Sequence, residues 1–432
     1  MAASPHKKQQ PGERKKLTAG HTILSESNEY TIVEVLGSGG FGDVYKVVRT
    51  CDSGGAQYAM KTELNDKLRR KMLDRLKVEM GVFMEIMDIK DTERRQHFLE
   101  MIDKGRTEEF KFIVMGIVSF SIETIRKDFT KAAQLKMHSV IKVGLQTLEA
   151  IASLHSVGYI HRDIKPHNFC IGLPPKDNNI YMLDFGIARR YMEKDGKIRI
   201  PREKVKFLGT VKYASRNCHR LKEQSRKDDL ETWCYMIMDL MHLDNLIWRG
   251  ESDRQRVLML KDKVFDNPKV LAKSPPDFRR IMKFVDGLQY HDLPDYIFIQ
   301  RALEDMAKRE KVTIAHPFEW AGKNLKKMKE EGEKREAQKM DRSSKGKKDL
   351  SSRRRGNKPK KQDEPRKARK KSSVLKNGGG TPKGADNSAL RTSTRRKAKK
   401  PVEEGSQTSE KRRAKRKSKT EPKSNPKETG ES

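Results

Sequence analysis

The sequence predicts an α+β chain of two unequal lobes, a small β-rich one and a larger helical one, with a disordered basic tail behind them. Three observations predict it. Up to about residue 115 the apolar residues run in short β-branched stretches of period two, broken by glycine. After Phe120 the apolar period lengthens to that of a helix. From Ala321 to Ser432 there are 39 Lys and Arg against 15 Asp and Glu, and no Phe, Trp or Tyr. That segment lacks the apolar surface needed to offset the entropy of ordering. The whole chain is 34% apolar and 36% charged, which fits one packed region with a polar extension better than two packed domains.

The elements follow in order. Residues 1–26 form a polar, basic, disordered lead without the apolar core of a signal peptide. Strands are predicted over Tyr30–Leu36, Asp43–Arg49 and Gln57–Lys61, and a charged amphipathic helix over Asn65–Asp88. Two further strands are predicted over His97–Lys104 and Glu109–Met115. Met137, Val140, Ile141, Gly144, Leu145, Leu148, Ile151 and Ala152 then make one face of a long helix. Helical patterns continue over 228–242, 252–265, 277–288 and 296–309. His316-Pro-Phe-Glu-Trp320 closes the packed region, so the domain is predicted over residues 27–320 and the tail over 321–432.

No run approaches the roughly 18 apolar residues of a membrane span, so no membrane association is expected. The four cysteines, Cys51, Cys170, Cys218 and Cys234, have no metal-ligand spacing and are expected as reduced core thiols. The expected location is the cytoplasm, the nucleus or both, and the expected state is a monomer.

The chemistry begins with Gly37-Ser38-Gly39-Gly40-Phe41-Gly42-Asp43-Val44, a GxGxxGxV run. Alone it is weak, because dinucleotide-binding folds carry the same glycines. There, however, the glycines open a helix, whereas here a strand follows. The element therefore reads as a hairpin whose bare backbone N–H groups can approach phosphates, or simply as a tight hairpin. Lys61 stands mid-strand about 20 residues on, with Glu79 of the following helix as its candidate partner. Such a pair could grip the α- and β-phosphates of ATP; the bland alternative is a solvent-facing lysine.

The next run decides between them. His161-Arg162-Asp163-Ile164-Lys165-Pro166-His167-Asn168 has the spacing of a catalytic loop, and Asp184-Phe185-Gly186 follows a turn-rich hairpin. Phosphoryl transfer needs a carboxylate to orient and deprotonate a hydroxyl, oxygen ligands for Mg²⁺, and positive charge on the γ-phosphate. Asp163 fits the base, Asn168 and Asp184 the metal ligands, and Lys165 the γ-phosphate contact.

Together these motifs resemble the eukaryotic protein kinase superfamily over residues 27–320. Gly209–Ser215 and Glu223–Glu231 are similar to the activation-segment and following-helix text of the casein kinase 1 group, where most kinases carry Ala-Pro-Glu. Leu173-Pro174, Tyr181–Gly186 and Pro201-Arg202 resemble the tau-tubulin kinase branch. The resemblance implies a bilobal protein-kinase fold, ATP and Mg²⁺ as cofactors, and protein substrates. Asp163-x-Lys165-Pro166-x-Asn168 is similar to serine/threonine kinases, with dual specificity left open. The resemblance further implies that Leu36 and Gly37–Gly42 cover the nucleotide, and that Val44 and Ala59 roof the adenine. Met115 would be the gatekeeper, Gly116 and Val118 the hinge, Cys170 the floor, and Asp229 the residue holding the catalytic loop. Two positions depart from the family pattern: Gly116 stands where Glu or Gln is common, and Cys170 is an unusual floor.

Control and partners are predicted from charge. Lys212 in the activation segment is expected beside Arg162, with Lys204 and Lys206 close by, so that acidic or already phosphorylated substrates are favoured. Solvated surface lysines are the alternative. Between Gly186 and Gly209 the only hydroxyl is Tyr191, which predicts activity without an activating phosphate. In the tail, Arg353–Arg355, Arg395–Lys397 with Lys399 and Lys400, and Lys411–Arg413 with Lys415–Lys417 could bind nucleic acid or acidic polymers, or address the nucleus. With no interleaved aromatics they cannot stack on bases, and a solvated extension is the alternative. An inactive scaffold or a basic-tail binding protein are the rival functions, yet Lys61, Asp163 and Asp184 are all present.

Overall fold

Strands β1 (Thr22–Leu24), β2 (Glu29–Ser38), β3 (Asp43–Arg49), β4 (Gln57–Leu64), β5 (Met101–Arg106) and β6 (Phe110–Gly116) make one antiparallel sheet. Their order is β1-β2-β3-β4-β6-β5. They belong to a computed structural model that describes residues 16–330, except 41, 53, 66–73, 131–132 and 268–273. Phe41, residues 1–15 and the tail from residue 331 lie outside the described residues.

Alternation along the strands gives the sheet two apolar faces. Tyr30, Ile32, Tyr45, Val47, Met60, Phe112 and Val114 bury themselves on one face together with Ile23, and Leu17 packs on them. The sheet therefore starts earlier than predicted: β1 lies within the expected lead and pairs Ile23 with Tyr30. Ala59, Ile113 and Met115 point from the other face into the main core.

Helix α1 (Arg75–Met87) packs there through Leu76, Val82, Phe83 and Ile86. It was predicted from Asn65, but that residue donates to Thr107 O and Glu108 O in the β5–β6 turn. The helix instead opens where two carboxylates meet its orphan amides. Asp74 accepts from Lys77 N (3.0 Å) and Glu63 from Leu76 N (2.6 Å). After a one-turn helix α2 (Thr92–Arg95), His97, Phe98 and Leu99 are buried but not in a strand, and β5 begins only at Met101. His97 O is taken up by Met182 N (2.8 Å), which ties this stretch to the second lobe.

That lobe contains α3 (Ile122–Asp128), α4 (Met137–Ser156), α5 (Arg216–His219), α6 (Arg226–Met241), α7 (Arg254–Asp266), α8 (Pro276–Gly287) and α9 (Tyr296–Arg309). Two small ribbons sit with it: β7 (Tyr159–Ile160) pairs with β10 (Arg189–Arg190), and β8 (Phe169–Ile171) with β9 (Ile180–Met182). The buried band of α4 is wider than the predicted stripe, because α6, α9 and β9 pack on it from several sides. Val143, Thr147, Ala150 and Leu154 are buried as well, while Met137, Leu145 and Ala152 are half-buried. Helix α6 is buried all round, as a central helix must be. Its acids survive burial by pairing, Glu231 with Arg216 (3.1 Å) and Asp239 with Lys212 (2.8 Å).

Phe318 and Trp320 stack at 4.3 Å between ring centroids, and Leu325 is also buried, so packing continues past Trp320. Cys170, Cys218 and Cys234 are free core thiols as predicted, but Cys51 is exposed, because it sits in the turn after β3. Among the described residues no helix is long and apolar enough to cross a membrane.

Candidate active site

The glycine run lies on the β2–β3 hairpin, where Gly39 N bonds Gly42 O (3.0 Å). A Cβ on Gly42 would stand 1.8 Å from Thr62 O of β4, so only glycine fits there. Leu36 is exposed on β2, Gly37 and Ser38 end that strand, Gly40 follows in the turn, and Val44 is half-buried on β3. The β4–β6 register sets Ala59 opposite Met115 and Tyr58 opposite Gly116. Ala59, Met115 and Cys170 are each less than a tenth exposed. Burial pushes the Cys170 thiol up to about 12, so it stays neutral and apolar. The Gly116 N–H is committed to Glu100 O (3.2 Å), and Val118 stands half-buried two residues on.

Lys61 crosses to the helix as the strand register requires. Its Nζ lies 2.6 Å from Glu79 Oε2 and 3.0 Å from Asp184 Oδ1. Burial disfavours the ammonium, but the charges of Glu79 and Asp184 outweigh it and hold its pKa above the ordinary lysine value. Burial likewise pushes the Asp184 carboxyl up, while Lys61 outweighs it and brings it down to about 2. Lys61 and Asp184 are therefore charged at neutral pH, while burial holds the Glu79 carboxyl above its ordinary value against the opposing charge of Lys61.

Asp184 is aimed by its neighbours. Phe185 is fully buried, with its ring 5.7 Å from Phe83, 6.1 Å from Phe98 and 5.5 Å from His161. Asp184 itself has φ of 65°, a left-handed conformation that aspartate tolerates better than most residues. Leu183 N bonds Asn168 O (2.9 Å), so the β8–β9 hairpin brings Asn168 and Asp184 to one end. The Asn168 Nδ2 donates to Asp163 O (2.8 Å), so the atom it can offer a cation is its oxygen. A carboxylate and an amide oxygen suit Mg²⁺, which takes one or two protein oxygens and completes its shell with phosphates and water. The residues fit the metal that the sequence implies. Among the described residues no cluster of three or more His, Cys, Asp or Glu could hold a metal unaided.

The catalytic-loop carboxylate is held on both oxygens. Lys165 Nζ lies 2.6 Å from Asp163 Oδ2, and Thr210 Oγ donates to Asp163 Oδ1 (2.8 Å). Lys165 also donates to Thr210 (3.1 Å), which closes a triangle. Sequence reasoning missed this direct bond between Thr210 and Asp163. Under the loop, buried Asp229 accepts from His161 N (2.7 Å) and Arg162 N (2.8 Å) and meets His155 Nε2 at 2.9 Å. This grip holds Arg162 at φ of 68°, in the left-handed region.

The activation segment is tied by unmodified side chains. Arg190 pairs with Glu85 of α1 and covers the Tyr159 ring. Arg189 and Arg202 both bind buried Glu223, each with one contact at 3.0 Å, and Arg162 lies in the same cluster. Burial and the charge of Arg189 push Arg162 down to about 10. Tyr191 is 3% exposed and donates to His155 O (2.7 Å). Lys212 does not join Arg162 as predicted; its Nζ is drawn 2.8 Å from Asp239, a fully buried carboxylate that needs the charge. The cations gathered at Arg162 are arginines, not the lysines the sequence suggested.

Residues 30–298 match the protein kinase domain family. The chain is 39% identical over 264 residues to a putative serine/threonine-protein kinase of Caenorhabditis elegans, covering 61% of this chain and 78% of the relative. A second such kinase of that organism is 35% identical over 67% of this chain and 73% of its own. A probable serine/threonine-protein kinase of Dictyostelium discoideum is 31% identical over 67% of this chain and 56% of its own. Among solved structures, vaccinia related kinase 3 shares the fold with a TM-score of 0.61 at 18% identity, over 71% of this chain and 96% of that one.

Proposed function

The chain belongs to the protein kinase family, and on that premise we propose that it transfers the γ-phosphate of ATP to serine and threonine hydroxyls of proteins. One observation carries the reading: the Asp163–Lys165–Thr210 triangle is joined through Asn168 to the hairpin that presents Asp184 to Lys61 and Glu79. Asp163 orients the acceptor hydroxyl and takes its proton, while Lys165 supplies positive charge beside it. Lys61, fixed by Glu79, meets phosphate oxygens, and Asp184 with Asn168 holds Mg²⁺. Bound Mg²⁺ supplies neutralisation of the phosphate charge. Transfer of radiolabel from ATP to an acidic test protein, followed by phosphoamino-acid analysis, tests the proposal; no label on serine or threonine would refute it.

Within the family we assign the chain to the casein kinase 1 group and its tau-tubulin kinase branch, on the text at Gly209–Ser215, Leu173-Pro174 and Pro201-Arg202. The same proposal includes a preference for acidic or phosphorylated sites, supported by Arg189 and Arg202 pairing with Glu223 beside Arg162, where Glu223 and Asp229 are the two carboxylates acting on Arg162. Three cations against two carboxylates leave positive charge for a substrate anion. At low salt an acidic peptide is expected to show about tenfold higher kcat/KM than a neutral one, with the gap shrinking as salt screens it. R202Q should narrow it too. Equal efficiency on both peptides at low salt would sink the preference.

Activity is expected without an activating phosphate, because Tyr191 is buried and bonded and no Ser or Thr lies between Gly186 and Gly209. Full-length chain made in a host without protein kinases, treated with phosphatase and assayed at once, should be as active as untreated chain. Loss on dephosphorylation with recovery after incubation with ATP would overturn this. We extend the proposal to a monomer of the cytoplasm, the nucleus or both, with the clusters at Arg353–Arg355, Arg395–Lys400 and Lys411–Lys417 contacting acidic polymers or nucleic acid.

A further inference from the structure

Lys261 of α7 is fully buried and takes no part in the chemistry above. Its ammonium donates to Val211 O (3.0 Å), Ala214 O (2.5 Å) and His219 Nε2 (3.2 Å). The rings of Tyr235 and Trp248 flank it at 4.9 and 5.3 Å. The Trp248 indole N–H donates to Lys212 O (2.7 Å). Three carbonyls of residues 211–214 are thus held from inside the helical lobe.

A lysine is an expensive choice for this place. Burial pushes its ammonium down to about 7, and no carboxylate pairs with it among the described residues. Carbonyl dipoles, ring faces and the more distant charge of Glu231 support its charge instead of a direct ion pair. Burial and the charge of Lys261 push His219 down to about 4, so its imidazole is neutral and its Nε2 can accept. Apolar replacement of buried charges is often neutral or stabilising, so stability alone does not account for a lysine here. What it holds does. Residues 211–214 follow directly on Thr210, which binds both Asp163 and Lys165.

We propose that Lys261, backed by Trp248, is a positioning residue that latches residues 211–214 to the helical lobe and so sets Thr210 against Asp163 and Lys165. The latch orders this end of the activation segment with no phosphate added. It rests on the transfer reading given above, and the test separates the two.

Full-length wild type, K261M, T210V and the double variant are compared for kcat on a peptide and KM for ATP. K261M is expected to lower kcat about tenfold and to leave the KM for ATP within about two-fold, because Lys61, Glu79 and the hinge lie apart from the latch. T210V should lose at least as much, and the double variant no more than T210V, since the two act in series. Losses that multiply independently, or a K261M kcat within about two-fold of wild type, would overturn the proposal. A second arm needs no catalysis: trypsin should cut after Lys204, Lys206 or Lys212 faster in K261M than in wild type, with both chains folded. Equal rates of cutting would overturn the latch even if wild type proved to transfer no phosphate. Should K261M not fold, W248F, which deletes the bond to Lys212 O, takes its place in both arms and is read by the same criteria.

Discussion

Asp163→Asn is expected to leave a folded chain that transfers phosphate roughly 10²–10⁴-fold more slowly, the scale of a positioned general base. The side chain keeps its volume, so packing is undisturbed, but the amide can neither accept a proton nor pair with Lys165 at 2.6 Å. Thr210, which donates to one Asp163 oxygen, keeps an acceptor only if the new amide turns its oxygen that way. Lys61, Glu79 and Asp184 are untouched, so nucleotide affinity should hold. The measurement is single-turnover transfer at saturating ATP, alongside nucleotide binding and thermal melting of the same sample. Near-native transfer would show that Asp163 is not the base.

Asp229→Ala should damage both stability and turnover. The carboxylate is 1% exposed and meets three partners, of which His155 and His161 are buried with it and Arg162 is half-buried. An orphaned buried N–H costs about 1–3 kcal/mol, and Arg162 then has no partner to offset the roughly 1–2 kcal/mol of its left-handed backbone. A loss of roughly 3–5 kcal/mol is expected, as when one partner of a buried charged group is removed. Burial pushes this carboxyl up, but the bond and charge of His155 outweigh it, so its folded pKa lies below the ordinary aspartate value. Its contribution is therefore complete above the ordinary carboxylate range and is lost only as pH falls through the depressed value. Across neutral pH the variant's deficit should be constant. Denaturant melts at two pH values measure the first effect. The second is kcat at a temperature where the variant is folded, expected to fall about 10²-fold because Asp163 is the next residue on the released loop. A folded variant with kcat within about threefold of wild type would remove Asp229 from the loop's support.

What was legible in the sequence was local. The hairpin of glycines, the strand lysine and the catalytic loop are each fixed by spacing within a few residues, and the structure brings Lys61 to Glu79 and Asn168 to the Asp184 hairpin. The four later helices were read from their period alone, within a few residues of α6 to α9. What was illegible depends on long separations. Thr210 meets Asp163 across 47 residues, and a Gly-Thr pair has no pattern that announces a bond. Lys212 was assigned to Arg162 by its charge and its place in the activation segment, whereas the buried carboxylate of Asp239 claims it from α6. Lys261, between Leu260 and Asp262 on an amphipathic helix, reads as one more surface charge until the fold turns it inward. Charge counts say how many cations there are, but burial decides which of them are spent.

The strand Thr22–Leu24 also fixes where an autonomous fragment can be cut. Ile23 and Leu17 seal the outer face over Tyr45, Met60 and Phe112, and Leu325 is buried beyond Trp320. A piece trimmed to residues 27–320 would uncover that apolar face and leave β2 as a bare edge, with backbone donors and acceptors open to any passing strand. Such a fragment would be prone to self-association through the stretch Glu29–Ile32, which the longer chain keeps covered. A fragment that keeps both of these contacts begins no later than Leu17 and ends no earlier than Leu325.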